Sequence, residues 1–499
     1  MRKPPPTWDE FKSAVRKVDR ESLLIQAAAA SALLAKDAIP DEWRRGGVTP
    51  WNVADVARTA LAWGRFQGKR ADAETLMRLA NMNVQIADGP SEDIDSSERL
   101  ARILARTFFE QFPSQRSVLP EFARTILLFG SAVTTPREFT PEAMHPRWFE
   151  NATAGLTLHD YVESIFFISV GAMENRGQFD PEWLDGPQFK TLADVISLEV
   201  VTRVFTERLL TGVDEFKAEN RSRQESLPAY EKKYAFDPLD NKPFIHGIAE
   251  APITPAVHAV IAKALPPAVY HLGLAAYGEA FTRDLGTVFQ HYAGRQLELV
   301  KGDRSVVPEV AYGPRREQLD SCDWFLDLPD LLVLVECKAR QPIESLRTGS
   351  SDWLNSVEGS IGKGIKQINR SNAHIDRISD ASAAVDRNKR RVGLVVTLEP
   401  FYLNQNPFIW DRLGKRDLPV GVVSVSELEL LVCLDAEELA RVLADAANAA
   451  QNGTLLLHDA LDAAAATGRD NSLLVGTWDA VGLFRRLDNA AEGLGISPE

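Results

Sequence analysis

The stretch Asp323-Trp-Phe-Leu-Asp-Leu-Pro-Asp-Leu-Leu-Val-Leu-Val-Glu336-Cys-Lys338 sets an acid ahead of two apolar runs that meet at Pro329 and Asp330, and the second run ends in Glu-x-Lys. Side chains on a strand alternate between faces, so Glu336 and Lys338 project to one side and Cys337 to the other. An antiparallel pair turning at Pro329 and Asp330 returns Asp323 beside them. Two carboxylates and an amine then share one site. With water and phosphate oxygens, such carboxylates suit Mg²⁺ or Mn²⁺, hard cations that take oxygen ligands. A metal there would polarise a phosphoryl oxygen and lower the pKa of an attacking water, while Lys338 would orient that water or stabilise developing charge.

Working outward, β-type runs recur at Val306 to Tyr312, Arg391 to Leu398 and Val420 to Val425, which together with intervening helices predict an α/β domain. Between them, Ile361, Ile365, Ile368, Ile375 and Ile378 fall at helical spacing and define a core stripe on a helix from about Asn355 to Ile378. The same arithmetic puts Lys363, Lys366, Gln367 and Arg370 on another, basic face, suited to phosphate-backbone contact. From Arg283 to Asp435 there are 20 Lys and Arg against 22 Asp and Glu, although the whole chain carries −14, so this region is nearly neutral. The cluster Arg387, Lys389, Arg390, Arg391 reads equally well as a solvated turn and as a nucleic-acid contact.

Asp323, the apolar strand and the Glu-x-Lys ending together resemble the PD-(D/E)XK nuclease superfamily, the restriction-endonuclease-like fold. The flanks extend the resemblance. Gly286-Thr-Val-Phe289-Gln290-His-Tyr292 stands where such domains have a Gly-x-x-Phe-Glu-x-Tyr helix, and Gln367 sits where they place a Gln on the helix after the Glu-x-Lys strand. The resemblance implies catalytic roles for Asp323, Glu336, Lys338 and Gln367, with Asp323 and Glu336 as metal ligands. Gln290 replaces the family acid and brings no negative charge, and Glu309 in the preceding strand is a candidate substitute ligand.

The remaining sequence frames this domain. At 499 residues the chain has room for about three domains. Residues 1–233 read as an α-helical accessory region: Thr7 with Glu10 forms a capping-box pattern, Thr49-Pro50 starts another helix, and helical spacing recurs over Ser97–Phe112, Pro120–Phe129, Leu158–Met173 and Thr191–Leu210. Lys217–Lys233 has the composition of a solvated helix or linker. Residues 234–435 form the nuclease-like domain with a mixed central sheet, and 436–499 an acidic helical segment with four Arg against ten Asp and Glu. Three separated cysteines without CxxC pairing argue against a disulfide framework or a cysteine zinc site. No secretory signal is read at the start and no apolar run is long enough to span a bilayer, so the expected compartment is the cytoplasm.

The expected function is a Mg²⁺- or Mn²⁺-dependent nuclease acting on DNA before RNA, with bacterial defence against foreign DNA as the role suggested by analogy. The competing expectation is a nuclease-fold module that binds nucleic acid or protein without turnover. Expected partners are nucleic acid, and a protein engaging the N-terminal helical region; self-association stays open, and a membrane is not among them.

Overall fold

The computed structural model describes residues 4–86, 118–130, 138–189, 195–229, 231–339, 357–402 and 407–480, with a few single positions between them. The expected helix Ser97–Phe112 lies outside the described residues. A helical N-terminal region precedes a five-stranded mixed sheet, as the sequence predicts. The sheet strands are β1 (Ser305–Pro308), β2 (Trp324–Leu328), β3 (Leu331–Lys338), β4 (Arg390–Thr397) and β5 (Val420–Ser424), in spatial order 1-2-3-4-5. β2 pairs antiparallel with both β1 and β3; β3, β4 and β5 are mutually parallel. Leu328 pairs with Leu331, so Pro329 and Asp330 alone form the turn, and Asp330 takes the left-handed conformation at φ 56° that short polar side chains tolerate.

Strand alternation splits the sheet between two apolar clusters. Leu326, Val333, Val335 and Leu394 face one cluster; Phe325, Leu332, Leu334 and Val395 face another, which also holds Ile361, Ile365, Ile368, Ile375 and Ile378. The predicted isoleucine stripe is thus buried, although the helix is broken at His374 into Lys363–Ala373 and Ile375–Ala381 after an opening π-type turn, Glu358–Gly362.

The N-terminal elements include the helices α1 (Trp8–Val15), α2 (Arg20–Ala35) and α3 (Pro50–Trp63). Thr7 and Glu10 close a reciprocal capping box on α1, and Thr49 with Asn52 closes another on α3. Further on come α4 (Val118–Phe129), α5 (Val213–Gln224), α6 (Glu279–Leu297), α7 (Lys363–Ala373) and α8 (Val425–Leu431). The helix expected over Thr191–Leu210 starts later, at the Ser197 cap, and ends in a π-type turn and a short strand, Leu210–Gly212. That strand pairs in parallel with Phe244–His246, across the expected boundary at 233/234, and Ile245, Ile248 and Ile253 pack with the cluster of α1 to α3. The segment read as a solvated helix or linker, Lys217–Lys233, continues α5 to Gln224 and is largely exposed, but Asn220, Gln224 and Lys233 are buried, and the Lys233 ammonium donates to the Ile86 carbonyl at 3.1 Å.

In the same region Asp237 accepts from the Leu239 amide at 3.0 Å. Burial, opposed by the Arg58 guanidinium and reinforced by the Asp240 carboxylate, pushes its carboxyl up to about 7. The folded state therefore holds this proton after the unfolded chain, with its ordinary value near 4, has lost it, so stability falls as pH rises from about 4 to about 7. Asp237→Asn keeps the cap and cannot ionise; urea midpoints at about pH 5 and about pH 8 should show the variant gaining on wild type as pH rises, with the larger advantage at about pH 8.

Candidate functional site

β3 is buried along almost its whole length, and its last residues carry polar groups to the end of the strand, where it packs against α7. Glu336 is 1% exposed, and Lys338, two residues on and on the same face, is half-buried. The Lys338 ammonium donates to Glu336 Oε1 at 2.7 Å and to Gln367 Oε1 of α7 at 2.7 Å. Gly364, one turn before Gln367, permits this approach: a Cβ there would meet Val395 at 3.0 Å and Lys338 Cε at 3.4 Å.

The antiparallel register of Trp324 with Val335 sets Asp323 opposite Glu336. Its Oδ2 accepts from the Cys337 amide at 2.6 Å. That backbone donor was invisible in the sequence, because an amide leaves no side-chain signal. Burial pushes the Asp323 carboxyl above its usual range, against the pull of the Cys337 amide and the Lys338 ammonium. Burial and then the Asp323 carboxylate push Glu336 up to about 7, with Lys338 pulling the other way. Two acids that resist ionising side by side are a site short of positive charge.

Glu309, just past the end of β1, stays exposed; desolvation and then the Asp323 and Asp320 carboxylates raise its pKa, and it acts in turn on Glu336. Gln290 is placed differently. Its helix α6 packs on the opposite face of the sheet, where Phe289 and Tyr292 are buried, and its backbone carbonyl accepts from the Trp324 indole at 2.8 Å. Among the described residues no hydrogen bond joins its amide to Asp323, Glu336 or Lys338.

Of the basic face of α7, Lys363 and Lys366 are exposed, with no carboxylate within 4.0 Å among the described residues. Arg370 is exposed too but donates to the Asp320 carbonyl at 2.9 Å, bracing the small antiparallel pair Ala311–Tyr312 and Leu319–Asp320. The other basic cluster is spent within the chain. Arg387 pairs with Asp380 and Lys389 with Asp327, while Arg390 reaches Asn448 at 2.7 Å and Arg391 reaches Asn372 at 2.7 Å. It serves as a structural turn.

A divalent cation fits the donors present. Glu336 Oε2 is buried and accepts no hydrogen bond among the described residues, and carboxylate oxygens are the ligands a hard cation takes. Among the described residues, however, no group of three His, Cys, Asp or Glu side chains stands close enough together to hold a metal ion. No described helix is long and apolar enough to cross a membrane. Compared with family models, curated proteins and solved structures, the chain finds no match.

Proposed function

We propose that the chain is a metal-dependent nuclease of the restriction-endonuclease-like type, hydrolysing phosphodiester bonds in DNA before RNA. The observation that carries this reading is the Lys338 ammonium, held 2.7 Å from both Glu336 and Gln367 beside the Asp323 carboxylate. Asp323 and Glu336 would hold Mg²⁺ or Mn²⁺, which when bound supplies Lewis-acid polarisation of the phosphoryl oxygen and an acidified water. An ammonium has three protons, and two of Lys338's are spent on Glu336 and Gln367. The third is available to a water or a phosphate oxygen, and Gln367 fixes its direction. Exposed Lys363 and Lys366 would hold the phosphate backbone.

The test is cleavage of linear, circular and single-stranded DNA and of RNA with Mg²⁺ or Mn²⁺, by wild type, Asp323→Ala and Lys338→Ala. Cleavage by wild type that both substitutions abolish supports the reading. Cleavage that is absent, or that survives both, sinks it.

The ligand count favours a second reading, a module that binds nucleic acid or a protein partner without turnover. Glu309 and Gln290 decide how far the site can be completed. Because Glu309 acts on Glu336 and is acted on by Asp323, whereas Gln290 sits across the sheet, Glu309→Ala should raise the Mg²⁺ concentration needed for cleavage and Gln290→Glu should leave it unchanged. A lowered requirement in Gln290→Glu would reverse the two roles.

A further inference from the structure

A second surface with the chemistry of a nucleic-acid contact lies on the helical half, away from the sheet. The loop Gly64-Arg-Phe-Gln-Gly-Lys-Arg70 follows α3 and lies against the α1–α2 junction, Arg16-Lys-Val-Asp-Arg20. Backbone bonds pin it at both ends: the Asp19 amide donates to the Lys69 carbonyl at 2.9 Å, the Arg20 amide to the Arg65 carbonyl at 2.8 Å, and the Lys69 amide to the Lys17 carbonyl at 3.2 Å. Gly68 makes the close approach possible, since a Cβ would stand 2.7 Å from the Val18 carbonyl carbon. The loop is therefore built, not merely exposed.

What it presents is unusual for a chain of net charge −14. Arg16, Lys17, Arg65, Lys69 and Arg70 are all exposed, and among the described residues none has a carboxylate within 4.0 Å. The acids nearby have other duties or act at longer range: Asp19 caps α2 and with Asp214 acts on Arg20, Asp72 caps the helix after the loop and acts on Lys69 from beyond ion-pair distance, and Glu21 is exposed on α2. In the middle stands Phe66, 63% exposed, with the buried Arg20 guanidinium 3.9 Å beneath its ring. One face of the ring is held and the other is open.

We infer that this loop binds single-stranded nucleic acid, Phe66 stacking on a base while Arg16, Lys17, Arg65, Lys69 and Arg70 track the phosphates. An open ring can stack only on a base that is not already sandwiched in a duplex, and rings set in a cationic groove are how sequence-tolerant single-strand binding is achieved. A lipid surface fits less well, because sinking Phe66 into hydrocarbon would carry the stacked Arg20 charge with it. The loop's binding stands apart from catalysis at the sheet and is tested without it.

The experiment is fluorescence anisotropy of labelled oligothymidylate with the full chain, in EDTA so that nothing is cleaved, between about 50 and about 200 mM salt. Phe66→Ala should weaken binding about 5- to 150-fold with the salt slope unchanged. Lys69→Ala with Arg70→Ala should flatten the slope by about 0.7 per lost phosphate contact. Phe66→Trp should retain affinity and add fluorescence quenching beyond that of wild type on binding. Unchanged circular dichroism and urea midpoints show that these surface variants fold. Full affinity in Phe66→Ala, equal binding of the same sequence as a duplex, or binding to phosphatidylserine vesicles in place of oligothymidylate would each overturn the inference. Absence of cleavage by the wild type with Mg²⁺ or Mn²⁺, with this binding intact, would overturn the nuclease reading alone.

Discussion

Lys338→Met should lower the cleavage rate by about 10²- to 10³-fold while leaving nucleic-acid binding within a few-fold of wild type, the loss typical when one preorganised donor is removed from a reaction centre. The side chain's aliphatic stem packs against the α7 backbone at Gly364, and methionine can fill that path. What disappears is the ammonium between Glu336 and Gln367. Lys338→Arg should not rescue, because a planar guanidinium cannot reproduce the three-donor point charge in the same space. Gln367→Ala should cost less, since it removes the group that aims the ammonium and leaves the ammonium in place. Single-turnover rates with saturating enzyme separate these effects from binding. A Lys338→Met rate within a few-fold of wild type would remove the lysine from the chemistry.

Arg124→Met should destabilise the folded chain by about 3–5 kcal/mol, the usual cost of leaving buried charge without its partner. Arg124 of α4 is 3% exposed and meets Glu429 of α8, 305 residues away, at 2.8 Å through Nε, and Glu121 at 2.7 Å. The Tyr292 hydroxyl donates to Glu429 at 2.6 Å, Gln296 donates to Tyr292, and Asn471 donates to Gln296 at 2.7 Å. This buried network clamps the helical region onto the sheet's helices, and the tyrosine of the Phe-Gln-x-Tyr motif belongs to it. Removing the guanidinium takes the cation away from two buried carboxylates, whereas removing the charge on both sides with Arg124→Met, Glu121→Gln and Glu429→Gln should recover much of the loss. Urea denaturation measures it. A change under about 1 kcal/mol would mean that water reaches the pair.

Four of the five sheet strands were legible because each is a short apolar run with a clear break, whereas the run read over Val306–Tyr312 divides into β1 and the separate strand Ala311–Tyr312. The predicted runs Asp323–Leu328, Leu331–Glu336, Arg391–Leu398 and Val420–Val425 lie within a residue or two of β2, β3, β4 and β5. Alternation also placed Glu336 and Lys338 on one face, where Lys338 joins them to Gln367. What escaped were features made by distant partners. Nothing local in Leu210–Gly212 announces its pairing with Phe244–His246, and nothing in Lys217–Lys233 shows that a lysine there is buried on a carbonyl of residue 86. The cationic loop escaped for the same reason: Arg16-Lys17 and Arg65–Arg70 are about fifty residues apart and are brought together by backbone bonds, which leave no side-chain signal. Gln290 took its place from sequence order alone, which does not say on which side of a sheet a helix lies.

The central claim is that Asp323 and Glu336 share one divalent ion, and direct Mn²⁺ binding tests it without reference to activity. Calorimetric titration of wild type, Asp323→Asn and Glu336→Gln with Mn²⁺ should give one site in the wild type and loss of that site in both variants, each of which removes a charge and little volume. Equal Mn²⁺ binding by all three proteins, or none by the wild type, would contradict the account.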